Sequence, residues 1–530
     1  MESKWLAMVL VVLSLGSGLC DGCLEEERFA LFQLKPFFAF IDYKFQDLDY
    51  ESKPEKESSS NCCEWERVEC NPISGRVTHL FLNYSSNMKR DWYLNASLFL
   101  PFEKLQNLSL SGNFITGGVA NQGFERLSSK LDKLENLNLS DNHFNNSILA
   151  SLSELSSLKS LNLAYNVFTR SNPTNGIEML SKLNNLETLD LSYNSFGNID
   201  GFATMTPVCI EYCGLKGTLD IQESNNNWMK LKELYLEGNE IESLGSLFYE
   251  KEGMKFNKLE VLSLNGNLLN NSVFSSLVEL SNLKSLNLSD NQLEGTIYTK
   301  DLNALSNLEE LILSDNFEVN GFIPSKGLRL MNLKHLNLSV NGFNNSILAS
   351  LATLPNLKTL MIDISQCNGL IDMKDLYGFG KLEELTMASY IDAYTEADAD
   401  AGCSFSLQSL GFFPTLNTLS LDGFNINETT MASYSRNNFT SLKRLKLLYC
   451  NVNKNLTRQE GLNLRRLEEL ELSYSSLPSN FIQVFGPLIS LKKLTASGID
   501  GNNSPPMHDL YGFSNLEELT MICNTSNVRI

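Results

Sequence analysis

Residues 283–297 read Leu-Lys-Ser-Leu-Asn-Leu-Ser-Asp-Asn-Gln-Leu-Glu-Gly-Thr-Ile, and this stretch decides the fold. In an extended segment residues i and i+2 share a face, so Leu286 and Leu288 point one way while Asn287 and Ser289 point the other. The pattern L-x-x-L-x-L-x-x-N returns in Leu105-Leu108-Leu110-Asn113, in Leu134-Leu137-Leu139-Asn142 and in Leu333-Leu336-Leu338-Asn341. By the same alternation Leu108 and Leu110 face inward, while Asn107, Ser109 and Ser111 line the outer surface. No single copy can bury its leucines alone, so stacking of neighbours must supply one continuous core.

The period is about 25 residues, that of leucine-rich repeats. Eighteen strand positions follow, with the first inward residue at Leu80, Leu108, Leu137, Leu161, Leu189, Val208, Leu234, Leu262, Leu286, Leu311, Leu336, Leu360, Leu385, Leu419, Leu445, Leu470, Leu494 and Leu519. Val208 is the most degenerate copy, only 19 residues after Leu189. The expected fold class is α/β: a leucine-rich-repeat solenoid, horseshoe or superhelix, with a parallel sheet on its concave side. A second consensus, N-x-L-x-G-x-I, follows each strand, as in Asn113, Ile115, Gly117 and Val119. Where its glycine is missing, Asn146, Asn271 and Asn345 stand in, which predicts a left-handed backbone there. From Asn113 to Asn341 the ten turn positions hold nine Asn and Cys213, whereas afterwards they read Ser365, Tyr390, Phe424, Cys450, Ser475, Ile499 and Asn524. Less regular stacking is expected in that later part.

The chain of 530 residues carries 42 Lys and Arg against 62 Asp and Glu, a formal charge of -20. Such a balance argues against nucleic acid or an anionic membrane as main partner. Lys4, the apolar run from Trp5 to Leu15 and the small residues Ser14 to Gly18 form a secretory leader over residues 1–22, cleaved near Cys20 or Gly22. Secretion turns the eleven cysteines into disulfide candidates. Cys23, Cys62, Cys63 and Cys70 share one segment ahead of the repeats, and the adjacent Cys62 and Cys63 are expected to take different partners. No nearby histidine completes a zinc set, and no metal or cofactor is expected.

The passage Cys62-Cys63-Glu64-Trp65-Glu66-Arg67-Val68-Glu69-Cys70, followed by Gly75-Arg76-Val77-Thr78-His79-Leu80 and repeats of this type, resembles the extracellular part of plant receptor-like proteins. The resemblance covers essentially the whole chain after residue 22. It implies an N-terminal disulfide cap over residues 23–76, repeats over 77–530, and the pairings Cys23 with Cys62 and Cys63 with Cys70. Closing the longer loop would stabilise the cap by roughly 4 kcal/mol. Glu25 to Lys35 reads as an amphipathic cap helix, acidic in its first turn and stopped by Pro36. Family members usually continue into a cysteine cap, an acidic stretch and one membrane helix, so this chain is expected to be a portion of a longer receptor. Translating the gene beyond Ile530 would test that expectation.

Fourteen N-x-S/T sequons occur, at Asn83, Asn95, Asn107, Asn138, Asn145, Asn270, Asn287, Asn337, Asn344, Asn427, Asn438, Asn455, Asn502 and Asn524. Asn107, Asn138, Asn287 and Asn337 fall on outward strand positions, where a glycan would obstruct a ligand. Binding is therefore expected on the stretches Leu161 to Leu262 and Leu360 to Leu519. Within the second, Arg444, Lys446, Glu469, Glu471 and Lys493 read either as a charged docking patch or as ordinary cross-strand ion pairs, with ion pairing preferred. An interval of 34 residues from Leu385 to Leu419 holds an insertion, Met387 to Phe405, carrying Tyr390, Tyr394, Glu396, Asp398, Asp400 and Cys403. Its acidic residues lack the spacing of a calcium loop.

His79, His143, His335 and His508 lie in separate repeats, and neither a phosphate loop nor a kinase signature is present, so catalysis is not expected. The expected role is recognition of an extracellular peptide, protein or glycan at the cell surface, with signalling in defence or development through a membrane partner such as a co-receptor kinase. The alternative is a secreted inhibitor of a cell-wall-degrading enzyme, of the polygalacturonase-inhibiting type, which shares the cap and repeat. A purely structural wall protein ranks below both.

Overall fold

The computed structural model describes residues 23–38, 61–88, 90–169, 177–196, 208–219, 232–245, 258–323, 328–365, 369–371, 376, 378–389, 403–406, 413–427, 441–452, 464–477, 488–499 and 513–523. The leader, most of the insertion at Met387 to Phe405, and Asn438, Asn455, Asn502 and Asn524 lie outside these residues. The chain forms two compact units, Met1–Glu240 and Ile241–Ile530.

In the first unit, strand Val77–Phe81 pairs in parallel with Asn107–Ser109, and pairing continues through Asn136–Asn138, Ser160–Asn162, Thr188–Asp190 and Val208–Cys209 to Glu233–Tyr235. The register sets Leu80, Leu108, Leu137, Leu161, Leu189, Val208 and Leu234 side by side. Val208 keeps its place in the register despite its degenerate surroundings. The second unit repeats the arrangement from Leu262 to Leu519. Behind the strands, phenylalanines such as Phe124, Phe144, Phe168 and Phe343 are fully buried, and each adds about 1.5–3 kcal/mol of transfer energy.

Turn asparagines tie one repeat to the one before. Asn113, with no exposed surface, donates from Nδ2 to the carbonyls of Leu82, Leu110 and Ser111, and its Oδ1 accepts the N–H of Ser85. Asn142, Asn166, Asn194 and Asn239 repeat this pattern in the first unit, as Asn316 and Asn341 do in the second. Where the asparagines end, the strand layer keeps its register as far as Lys493–Ile499, and that strand's pairing with Glu518–Cys523 carries a register shift. Three-residue strands such as Ser285–Asn287 give way to five-residue ones, including Thr359–Asp363, Glu384–Ala388, Thr418–Asp422, Arg444–Leu448 and Glu469–Ser473, paired without a register shift. The reason is backbone accounting, since groups that an asparagine amide would satisfy are satisfied by a longer ladder instead.

Two further expectations are corrected. Asn146, Asn271 and Asn345 are not among the residues with positive φ. Helical turns begin there, and Asn146 and Asn271 each bond the backbone of the next repeat, at Thr169 and Glu294. The left-handed residue is the one preceding the turn asparagine, as at Asp141, Tyr165, Tyr193, Asp290 and Asp315. Ser109 and Ser111 are buried rather than outward, because Asn83 covers the first and Ser140 the second through side-chain hydrogen bonds.

At the N-terminal end, disulfides join Cys23 to Cys62 and Cys63 to Cys70, with Cα atoms 5.7 and 5.6 Å apart. The helix Glu25–Leu34 buries Ala30, Leu31 and Leu34, and Phe37 and Phe38 beyond it pack on Trp92 of the first repeat. The helix also buries Glu27, whose carboxylate holds the Arg76 Nε at 2.8 Å.

Candidate ligand-binding face

Parallel pairing lines up equivalent side chains about 4.8 Å apart, the spacing of neighbouring strands, so any outward chemistry is read out in rows. Asn138 in the first unit, and Asn287 and Asn337 in the second, bend back over their own strands, each Oδ1 accepting the N–H two residues on. Asn287 also donates from Nδ2 to Asn265 at 3.1 Å. The remaining described sequons Asn95, Asn145, Asn270 and Asn344 sit after the strands and close the same local turn. Asn83 and Asn107 lie beside the strands Val77–Phe81 and Asn107–Ser109, and Asn427 ends the strand Asn425–Asn427.

The five charged candidates do come together on one face of the second unit. Lys446 meets Glu471 at 3.1 Å, Lys493 meets Glu518 at 2.8 Å, and Arg444 reaches Glu384, two strands away, at 3.5 Å. Glu469 lies in register between Arg444 and Lys493. The hydrogen bond from Lys493 to Glu518 raises the lysine pKa. A second row, just before the strands, pairs Lys284 with Glu260, Lys334 with Glu309, Lys358 with Glu383 and Lys492 with Glu468. Exposed pairs of this kind are screened by solvent and contribute little to stability. An open cleft of about 530 Å³ beside the later strands is lined by Lys443, Arg466, Glu468, Lys492 and Glu517.

Asp363 is a buried carboxylate on the strand Thr359–Asp363, where it accepts the N–H of Val340. Burial pushes its pKa up, and Asp422 and Asp315 add to the shift. The unfolded chain releases this proton near pH 3.9, whereas the native state holds it to higher pH. Between those values the native state binds more protons, so stability falls as the pH rises through that window. Asp363→Asn keeps an acceptor for Val340 without the charge. It is expected to raise the melting temperature at pH 7, with the gain shrinking toward pH 4; no gain at pH 7 would count against this account.

Sequence reasoning overlooked an aromatic column. Tyr165 and Tyr193 stack with centroids 4.0 Å apart, and Tyr193 and Tyr212 at 4.6 Å. The Tyr193 hydroxyl is pushed up to about 12, first by its hydrogen bond with Tyr165 and then by burial. The signal was present in Ala164-Tyr165-Asn166, Ser192-Tyr193-Asn194 and Glu211-Tyr212-Cys213, since all three tyrosines precede a turn position. Cys213 and Cys450 are themselves buried at turn positions with reduced thiols, pushed up to about 12 by burial. Cys403 is disulfide-bonded. Among the described residues no cluster of His, Cys, Asp or Glu could hold a metal, and no helix is long and apolar enough to cross a membrane.

The Leucine Rich Repeat family profile matches residues 133–155, 185–205 and 282–300. The chain is 40% identical over 163 residues to putative receptor-like protein 8 of Arabidopsis thaliana, a span of 30% of this chain and 16% of that protein. It is 31% identical over 308 residues to Cuscuta receptor 1 of Solanum lycopersicum, a span of 56% of this chain and 23% of that protein. The matched region is thus less than a quarter of the length of either relative. Among solved structures, a leucine-rich-repeat protein of Leptospira interrogans superposes with a TM-score of 0.53 at 21% identity, over 83% of this chain and 95% of that one, and shows the same fold.

Proposed function

We propose that this chain, which carries leucine-rich repeats and is similar over part of its length to plant receptor-like proteins, works at the outer face of the cell. Its outward strand side chains hold an extracellular peptide, protein or glycan, and a membrane partner such as a co-receptor kinase carries the signal onward. The observation that carries this reading is the register: Leu262 to Leu519 stand side by side, so eleven strands present their outward residues in aligned rows. Aligned rows offer a long ligand many weak contacts at once, which suits recognition. N-glycans on Asn107, Asn138, Asn287 and Asn337 would leave the stretches 161–262 and 360–519 for the ligand.

The secreted, tagged chain can be exposed to extracellular fluid and solubilised plant plasma membrane, with polygalacturonase activity assayed in parallel. Co-purification of a membrane leucine-rich-repeat kinase above a scrambled-repeat control, with an unchanged polygalacturonase rate, is the expected result. Stoichiometric inhibition of polygalacturonase without kinase capture would instead assign the chain to the inhibitors. Because Arg444 and Lys446 are engaged in cross-strand pairs, Arg444→Glu with Lys446→Glu is expected to leave capture within twofold and to cost less than about 1 kcal/mol of stability per pair. A tenfold loss of capture would make those residues the docking patch.

A further inference from the structure

Tyr165, Tyr193, Tyr212 and Gly238 occupy the same position in four successive repeats of the first unit, all left-handed with φ of 52, 57, 51 and 62°. For a bulky aromatic residue that conformation is uncommon and unfavourable, yet three consecutive repeats adopt it. The interplanar angles are 10° and 15°, so the rings form one column. It ends on Gly238, where a Cβ would lie 2.2 Å from the Tyr212 ring. The three tyrosines remain 51%, 36% and 48% exposed even though their rings stack on one another. Glu211 and Glu237 adjoin the column, since their carbonyls accept the N–H groups of Tyr193 and Tyr212, each at 2.7 Å, and Asp190 accepts from the Asn162 amide and the Ser192 N–H in the same repeats. Burial raises the pKa of Glu211, and Glu237 and Asp190, both of its own sign, raise it further. None of the fourteen sequons falls between Leu161 and Leu262.

A column of this kind is a poor platform for sugar rings, which need open aromatic faces. Aromatic edges beside mutually repelling carboxylates suit a different ligand, one with an apolar stem and a cationic head. We propose that the Tyr165–Tyr193–Tyr212 column, with Asp190, Glu211 and Glu237, binds a basic polypeptide segment. Arginine or lysine stems lie along the ring edges, and their heads lie on the carboxylates. This assignment rests on the ligand-binding reading above and names the chemical class of ligand for its first stretch.

The test is fluorescence anisotropy of a labelled tetra-arginine peptide on the purified, glycosylated chain, with tetraserine as a blank. Glu211→Gln with Glu237→Gln is expected to weaken binding at least tenfold. Tyr193→Asn and Tyr165→Asn remove a ring while tolerating the left-handed backbone, and each is expected to weaken it at least fivefold. Asp290→Asn with Asp315→Asn removes the same charge at left-handed positions of the second unit and is expected to change binding less than twofold. Melting temperatures within a few degrees of the parent establish folding, and either tyrosine variant alone suffices if the other fails. Equal losses in the control and patch variants, or no loss with the ring variants, would overturn the proposal. Retained peptide binding without kinase capture would overturn the signalling reading alone.

Discussion

Asn142→Ala is expected to lower the unfolding free energy by roughly 4 kcal/mol, in line with about 1–3 kcal/mol for each buried polar group left without a partner. Only 3% of Asn142 is exposed. Its Oδ1 accepts the N–H groups of Asn113 and Ile115 at 3.1 and 3.0 Å, and its Nδ2 donates to the carbonyls of Leu110, Leu139 and Ser140 at 2.9, 3.1 and 3.0 Å. Alanine would orphan two donors outright and remove one partner from each of three acceptors, where water has no access. Asn142→Asp keeps the shape but supplies no donor and sets a carboxylate against three carbonyl oxygens, so it should be at least as damaging. At Ser475 a hydroxyl does a smaller version of the same task, accepting from Cys450 and donating toward Leu447 and Ser473. Ser475→Ala should cost only about 1 kcal/mol. Urea unfolding of the secreted protein checks both, and an Asn142→Ala midpoint equal to that of the parent would remove the asparagine from this account of stacking.

The second large effect is expected at Glu27. Its carboxylate has no exposed surface and holds Arg76, whose side chain is 18% exposed, while accepting the backbone N–H groups of Val77 and Leu24, both at 3.3 Å. Glu27→Ala would leave the guanidinium buried without a counter-charge and two backbone donors without acceptors, for a loss of about 3–5 kcal/mol. Glu27→Gln keeps an acceptor and should lose less. Replacing both members, Glu27→Met with Arg76→Met, removes the charges together and should recover most of the loss. Thermal unfolding of the parent, Glu27→Met, Arg76→Met and the double variant forms a double-mutant cycle. Simple additivity of the single losses would show that the two residues act separately.

The strand layer was legible in the sequence because it depends on two short-range periodicities. Alternation places Leu108 and Leu110 inward, and the recurrence of about 25 residues lets Val208 be assigned to a strand despite its poor surroundings. The turn asparagines were legible by type, since an amide both donates and accepts and a buried turn needs both. The left-handed residue was assigned to the wrong position. Asn146 and Asn271 have the right chemistry for that backbone, but the loops they open are helical turns, and their amides are engaged by Thr169 and Glu294 of the next repeat. The longer strands after Asn341 were not legible, because a side-chain pattern does not tell how far the backbone ladder extends.

For the candidate binding face, the sequence placed Arg444, Lys446, Glu469, Glu471 and Lys493 outward on neighbouring strands, and their pairing on one surface follows from that. It did not indicate that Arg444 would pass over Thr418 to Glu384, or that three tyrosines would close into a column. By itself, the sequence determined which strand leucines enter the core, because burial of an apolar side chain follows from local periodicity and a hydrophobic preference that needs no particular partner. Only the tertiary structure decided which polar groups meet. Glu27 reaches Arg76 across 49 residues, and Tyr165, Tyr193 and Tyr212 come from three separate repeats. Such contacts form or fail within fractions of an ångström, and that offset is set by the packing between repeats, which no single repeat encodes.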